Sequence, residues 1–246
     1  MALTAVIITY NEAKNIARCI ESVLNVCNEV IVLDSFSTDE TPIICKRYSG
    51  VKFEQRKWEG YTKSKNYAHS LAQNSFILSI DADECLSDEL ILSIKTCMLD
   101  EKIAYSMNRL NNYCGTWVKH GGWYPDKKVR IFHKHAAFWD GDYVHETLML
   151  NEGITTSHLQ GDLLHYAFEK TEAHLAKIEK YAQLHAAQLK QQGKSFNLLK
   201  LTFAPIAKFI RSYFFQMGIL DGKAGFDIAR YSAYAVYRKY QLLKAE

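Results

Sequence analysis

The sequence lacks a marked charge imbalance, a paired-cysteine motif, a leader-like start and a long uninterrupted apolar run, and each lack narrows what it can be. A formal charge of +3 over 246 residues is too near neutral to call for a nucleic-acid partner, although local basic clusters can still meet phosphates or anionic lipid. Six cysteines, Cys19, Cys27, Cys45, Cys85, Cys97 and Cys114, form no CxxC pair and have no histidine-rich companion segment, which disfavours a zinc site and a disulfide framework. Leu3 to Thr9 enters a strand-like pattern with no basic n-region or cleavage site before it, so the expected location is cytoplasmic. The longest apolar region, Phe196 to Leu220, is broken by Lys200, Lys208 and Arg211, which a membrane-spanning helix rarely accepts at mid-depth. No GxGxxG turn follows the first strand-like run and no complete GxxxxGK[ST] loop occurs, which sets aside dinucleotide dehydrogenases and P-loop phosphotransferases.

What is present is enough apolar material, 48% of residues, to bury a sizeable core. Ala5 to Thr9, Glu29 to Asp34, Val51 to Glu54 and Phe76 to Asp81 read as buried strands separated by helices, the pattern of a parallel α/β sheet. Asp34 and Asp81 then fall at carboxyl ends of strands, where open α/β sheets bind ligands. Helix starts are expected after each, at Ser37-Thr38-Asp39-Glu40 and at Ser87-Asp88-Glu89. From Ile103 to Tyr166 the pattern turns to shorter, aromatic-rich pieces punctuated by glycine, expected as an antiparallel or mixed extension. Beyond Glu169 the chain reads as helical, with breaks near Gly193 and around Gly218 to Gly225.

The segment Ser79-Ile80-Asp81-Ala82-Asp83-Glu84 places two acids one residue apart as an apolar strand ends. In extended backbone alternate side chains share a face, so Asp81 and Asp83 can converge on one cation, and hard oxygen ligands suit magnesium or manganese beside a diphosphate. The bland account is that they cap the following helix. Asp34 is likewise either a turn residue or part of a binding edge.

Taken with Thr9-Tyr10-Asn11-Glu12 and with Val32-Leu33-Asp34-Ser35-Phe36-Ser37-Thr38-Asp39-Glu40-Thr41, the acidic pair makes the chain resemble family 2 glycosyltransferases of the GT-A fold. The resemblance implies a GT-A-type α/β catalytic domain over residues 1–168 with a C-terminal helical extension over 169–246. It implies that Thr9, Tyr10, Asn11, Glu12 and Asp34 hold the donor nucleoside, that Asp81 lies by ribose and metal, and that Asp83 binds the metal. Gly60-Tyr61-Thr62-Lys63-Ser64-Lys65-Asn66 is similar to the family's basic segment, which puts Lys63 or Lys65 near the donor phosphates, with Asn66 as companion.

His120-Gly121-Gly122-Trp123-Tyr124-Pro125-Asp126, Arg130 and Val144-His145-Glu146 resemble the subgroup that includes lipopolysaccharide-core glucosyltransferases. That implies an exposed Trp123 stacking on a sugar, Asp126 binding its hydroxyls, and Glu146 or Asp126 as the base of an inverting transfer. Arg130 either neutralises phosphate or pairs with an acid, and His165 is a further candidate metal or diphosphate ligand. The implied reaction moves a hexose, glucose from a UDP-linked donor, to a glycan or glycolipid hydroxyl with a divalent cation, Mg or Mn. A protein acceptor and a non-catalytic sugar-nucleotide-binding or scaffold protein are the competing readings.

In the tail, Lys200, Ala204, Ala207, Lys208 and Arg211 share one side of a helix whose other sides carry leucine, isoleucine and phenylalanine. Such a surface must meet the catalytic domain, another subunit in a homodimer, or the inner face of the cytoplasmic membrane as a peripheral contact. Tyr231, Tyr234, Tyr237, Arg238, Lys239 and Tyr240 in the last helix fit either a membrane interface or a helical cap.

Overall fold

The β-branched runs become four parallel strands, β1 (Leu3–Thr9), β2 (Glu29–Asp34), β3 (Val51–Gln55) and β4 (Phe76–Asp81), adjacent in the order β3-β2-β1-β4. The computed structural model describes residues 2–141 and 146–244. β1, β2 and β4 read as largely apolar runs because both faces are covered, whereas β3, at the sheet edge, alternates with exposed Lys52 and Gln55. Leu3, Ala5 and Ile7 pack with Ile16, Cys19, Ile20 and Val23 of α1 (Ile16–Leu24), whereas Val6, Ile31 and Leu33 pack with Ala68 of α3 (Tyr61–Ser70) and with Ala72. The apolar residues of α1 recur at i, i+3, i+4 and i+7, giving one buried face.

Helices begin after both expected starts, with different caps. Ser87 caps α4 (Asp88–Thr96), its hydroxyl accepting from Leu90 N at 3.2 Å, with Asp88 and Glu89 in the first turn. After β2 the short α2 (Thr41–Cys45) has no side-chain cap at Glu40. The Asp39 carboxylate receives Thr41 N on Oδ1 at 3.0 Å and Ala13 N on Oδ2 at 3.0 Å, and Ser37 Oγ accepts from Asn11 N, so the polar run both starts this helix and ties it to the turn that follows β1.

The sheet continues past β4 with β8 (Asp126–His133), antiparallel to it, then β6 (Ile103–Tyr113), β11 (Thr155–Phe168) and β5 (Glu84–Leu86). The mixed extension is as expected, but β6 and β11 run 11 and 14 residues and are not the short pieces anticipated. Glycine does not end β11: Gly161, at φ +91°, lets the strand lie against the start of α4, where a Cβ would come 2.3 Å from Leu90 N. A hairpin-like pair, β9 (Ala137–Asp140) and β10 (Thr147–Leu150), forms a separate two-stranded sheet.

These strands lie mainly in one compact unit, which runs to Arg109 and resumes from Asp126 to His165. A second unit takes Leu110–Pro125 and the chain from Tyr166 onward. It holds β7 (Thr116–Val118), paired with the last residues of β6, and three helices, α5 (Thr171–Gln191), α6 (Leu198–Ile210) and α7 (Gly222–Lys244). A π-helical turn over Arg211–Phe215 and a 3-10 turn over Gly218–Asp221 join α6 to α7. Gly225 permits the tight return, since a Cβ there would fall 1.8 Å from Gly218 O. Its core joins Tyr113, Val118, Ala224 and Ile228 with Trp123, Phe168 and Tyr231.

Two expectations for this unit change. Trp123 is half-buried, edge-on to Tyr113 with ring centres 5.7 Å apart, and is a packing residue here and not an exposed platform. In α7, Tyr234 donates to Glu179 of α5 at 2.7 Å and Arg238 bonds both oxygens of the same carboxylate, so these side chains tie two helices together. Among the described residues no helix is long and apolar enough to cross a membrane.

Candidate active site

The register brings the ends of β1, β2 and β4 level, with Thr9 opposite Asp34 and Ile8 opposite Asp81. The turn after β1 and the loop after β2 are stitched together there. Asn11, at φ +56°, receives Thr38 N on its side-chain oxygen at 2.8 Å and gives its own N–H to Ser37 Oγ at 2.8 Å. Glu12 N donates to Thr41 Oγ1 at 2.8 Å, Asn15 Nδ2 donates to the Glu12 carboxylate at 2.8 Å, and Ala13 N donates to Asp39 at 3.0 Å. Asp34 is fully buried; its carboxylate accepts from Ser37 N at 3.0 Å, Ser37 Oγ and Gln55 Nε2 at 2.8 Å. Thr9 is buried with its hydroxyl unpartnered, while Tyr10 is exposed. Of Asp34's partners only Gln55 is an exposed side chain that a ligand donor can displace without reshaping the loop.

At β4 the acidic pair divides its attention. The strand ends at Asp81, Ala82 and Asp83 form a turn, and β5 begins at Glu84, so the extended backbone assumed for a shared face is not what carries the pair. Asp81 Oδ1 lies 3.1 Å from Lys65 Nζ, and its Oδ2 accepts from Arg130 Nη2 at 2.9 Å. Burial alone would raise the Asp81 pKa, but the Lys65 and Arg130 charges overcome it and hold the carboxyl far below its usual range. Asp83 faces elsewhere, its Oδ2 3.2 Å from His165 Nε2, because His165 is paired opposite Glu84 in the β5–β11 ladder.

Arg130 therefore pairs with an acid, one of the two roles expected of it, and it does so twice. Its Nη2 also donates to Glu84 Oε1 at 2.7 Å. Burial disfavours the Arg130 charge, yet Glu84 and Asp81 push its pKa up, so the guanidinium stays ionised inside the protein. Glu84, with no side-chain exposure, also receives Asp81 N at 3.1 Å and Arg109 Nη1 at 3.4 Å. Glu84 and Arg109 were not among the residues singled out in the sequence. A charged residue directly after DxD and a lone charged residue, Arg109, in the strand Ile103–Tyr113 were the local signals.

Lys65 and Lys63 separate cleanly on α3, where a two-residue step points side chains in opposite directions. Lys63 is exposed; Lys65 is 5% exposed, its ammonium 4.2 Å from the Trp139 ring centre and 3.9 Å from Glu146 Oε1. Asn66, expected beside donor phosphates, is spent as a clamp: it donates to Trp139 O at 2.8 Å and accepts from Trp139 N at 2.9 Å. The two candidate bases differ sharply. Asp126 is gripped by Arg109 Nε and Nη2 at 2.9 and 2.7 Å and by Lys128 at 3.0 Å. Burial works against its charge, but Arg109 and Lys128 hold its pKa below the ordinary value. Glu146 is one-fifth exposed with Lys65 beside it. His145 lies outside the described residues.

A divalent cation can be tested against this donor set. Among the described residues no group of three or more histidine, cysteine or acidic side chains is gathered to hold a metal unaided. Asp81 is already turned to two cationic side chains, whereas Asp83 and His165 offer one carboxylate oxygen and one imidazole nitrogen side by side. Two protein ligands are sufficient where substrate phosphates and water complete the shell, and imidazole favours manganese over magnesium. The residues fit such an ion.

Residues 4–154 match the profile of the family described as Glycosyl transferase family 2. An uncharacterized glycosyltransferase of Rickettsia felis is 32% identical over 98% of this chain and 89% of its own length. The lipopolysaccharide core biosynthesis glycosyltransferase LpsC of Rhizobium meliloti is 28% identical over 98% of this chain and 94% of its own. Among solved structures, a mannosyltransferase from Pyrobaculum calidifontis in complex with GDP-Man and Mn2+ aligns with a TM-score of 0.50 at 15% identity, covering 99% of this chain and 74% of that one.

Proposed function

The chain belongs to glycosyl transferase family 2, with the GT-A-type fold and C-terminal helices, and we propose that it is an inverting, metal-dependent hexosyltransferase acting on a glycan or glycolipid hydroxyl. The observation that carries this reading is the position of Lys65, whose ammonium reaches Asp81 on the donor edge at 3.1 Å and Glu146 at 3.9 Å. One buried cation links the carboxylate that ends β4 to the carboxylate chosen as base.

The donor nucleoside lies along the ends of β1 and β2, bounded by Thr9, Tyr10, Asn11 and Glu12. A base or ribose donor group takes the place of the Gln55 amide on Asp34, since the other hydrogen bonds to that carboxylate belong to Ser37 of its own loop. Lys65 and Arg130 hold Asp81 fixed and place positive charge beside the diphosphate. Asp83 and His165, 3.2 Å apart, would hold the divalent cation, which would supply charge neutralisation at the departing diphosphate.

Glu146 accepts the acceptor hydroxyl proton as the oxygen attacks the anomeric carbon and the bond from that carbon to the diphosphate oxygen breaks, inverting the centre. Asp126 is the poorer base because the Arg109 guanidinium holds its Oδ2 through two nitrogens and the Lys128 ammonium its Oδ1, which lowers its proton affinity. Its part is to fix Arg109 against Glu84. Glucose from a UDP donor, and a lipopolysaccharide-core acceptor at the inner face of the cytoplasmic membrane, are the finer reading. It draws on the Rhizobium relative, named for core biosynthesis.

The test is a screen of UDP- and GDP-hexoses with manganese and glycolipid acceptors, run on the native chain and on Glu146→Gln. The variant is expected to keep donor affinity and to lose transfer by about 10²–10⁴-fold. An undiminished rate in Glu146→Gln moves the base elsewhere, and no turnover of any nucleotide sugar by the native chain removes the hexosyltransferase assignment.

A further inference from the structure

Helix α6 already has a packing face. Phe209 and Tyr213, just beyond its end, stack on each other and meet Phe226 of α7 with ring centres 5.9 and 5.7 Å away. Leu199, Phe203, Ile206 and Ile210 lie elsewhere on the helix, spaced i, i+4, i+7 and i+11 within a stripe about 60° wide. Each of the four is at least 41% exposed, and Phe215 in the following turn is 80% exposed. No residue of α6 is buried. An exposed apolar stripe of this length on one helix marks a surface that meets something other than water.

The charges beside it select the occupant. From Gly193 to Leu220 the chain carries Lys194, Lys200, Lys208 and Arg211 and no aspartate or glutamate, a local excess larger than the +3 of the whole protein. Packing against a second copy through this face would set like charge against like charge. An anionic bilayer satisfies both features at once, taking hydrocarbon side chains below the headgroups and lysine or arginine at lipid phosphates. No described helix is long and apolar enough to cross a membrane, so the helix lies in the plane of the interface.

We propose that α6 and the turns after it dock on an anionic lipid surface, the stripe of Leu199, Phe203, Ile206 and Ile210 inserted and the exposed Lys200 and Arg211 at the headgroups. This assignment stands on exposure and charge alone and is independent of the transfer reaction.

The test floats the full chain with phosphatidylcholine vesicles, with and without phosphatidylglycerol, and measures its solution mass without lipid. Binding is expected with phosphatidylglycerol, weakened by salt, with a monomer in solution. A Phe203→Ser/Phe215→Ser double variant and a Lys200→Glu/Arg211→Glu double variant should each bind roughly tenfold more weakly at an unchanged melting temperature. Flotation with neither vesicle, or equal flotation of both variants and the native chain, overturns the proposal. A lipid-free dimer that Phe203→Ser/Phe215→Ser dissociates also overturns it, assigning the face to a second copy. Vesicle binding without any transferase activity leaves the docking surface standing and fails only the catalytic reading.

Discussion

The donor edge and α6 violate opposite rules of protein construction. At the donor edge Glu84, Arg130 and Lys65 are charged and buried, each with an opposite charge within reach. On α6, Leu199 and Phe203 are apolar and 67% and 62% exposed. Buried charge survives only through its partners, so removing one member of that cluster leaves the rest stranded. Exposed hydrocarbon has no such dependence, and the folded chain scarcely notices its loss. The contrast separates a site whose geometry is held by internal electrostatics from a surface whose energetics are settled outside the protein.

The sharpest way to break the contrast is Arg130→Met, which leaves Glu84 and Asp81 facing each other with one guanidinium gone. A loss of about 3–5 kcal/mol in urea unfolding is expected, and a change under about 1 kcal/mol would show that the buried charges are not mutually dependent. Lower pH probes the two units through one buried imidazole in each. Burial, reinforced by Lys65, lowers the His69 pKa to about 3, and burial with Lys177 lowers that of His174 to about 4. Both are depressed relative to the unfolded chain, so their contribution is complete above about pH 6.5 and is lost as pH falls toward 4 and 3. The melting temperature should therefore drop between pH 6.5 and 4, before carboxylates such as Asp126 begin to protonate; a flat profile there contradicts neutral burial of either ring. The smallest effect belongs to α6, where Phe203→Ser should change unfolding free energy by less than about 0.5 kcal/mol. A larger loss would mean that the stripe packs within the protein.

How much of this was legible depended on whether the interaction was local. Asp34 and Asp81 at strand ends, Ser87 as a cap, and the alternation that buries Ile7 and Val6 on opposite faces all follow from neighbours within a few residues. The Ser37 to Glu40 run was legible as a helix start by the same reasoning, with Asp39 meeting Thr41 N, but its second tie, to Asn11 and Ala13 26 residues earlier, was not. Asn66 carries no mark that would distinguish a clamp on Trp139 from a phosphate contact, because its partner lies 73 residues away. Arg109 and Arg130 sit in strands whose neighbours only the sheet order reveals, so their meeting with Glu84 could not be read from spacing.

The partners of Glu84 also set an order on how the molecule is made. Its carboxylate and that of Asp81 leave a ribosome well before Arg130, which follows Glu84 by 46 residues, and β5 waits for β11, whose His165 pairs with Glu84 itself. The first four strands can meet while synthesis continues, with Lys65 already present for Asp81 and Arg109 following Glu84 by 25 residues, but the guanidinium that bridges both acids arrives only with Arg130. The edge where β4 ends is thus among the last places to consolidate, and a chain truncated before Arg130 would expose a half-built rim, its two acids unbridged, to the quality-control machinery of its cell.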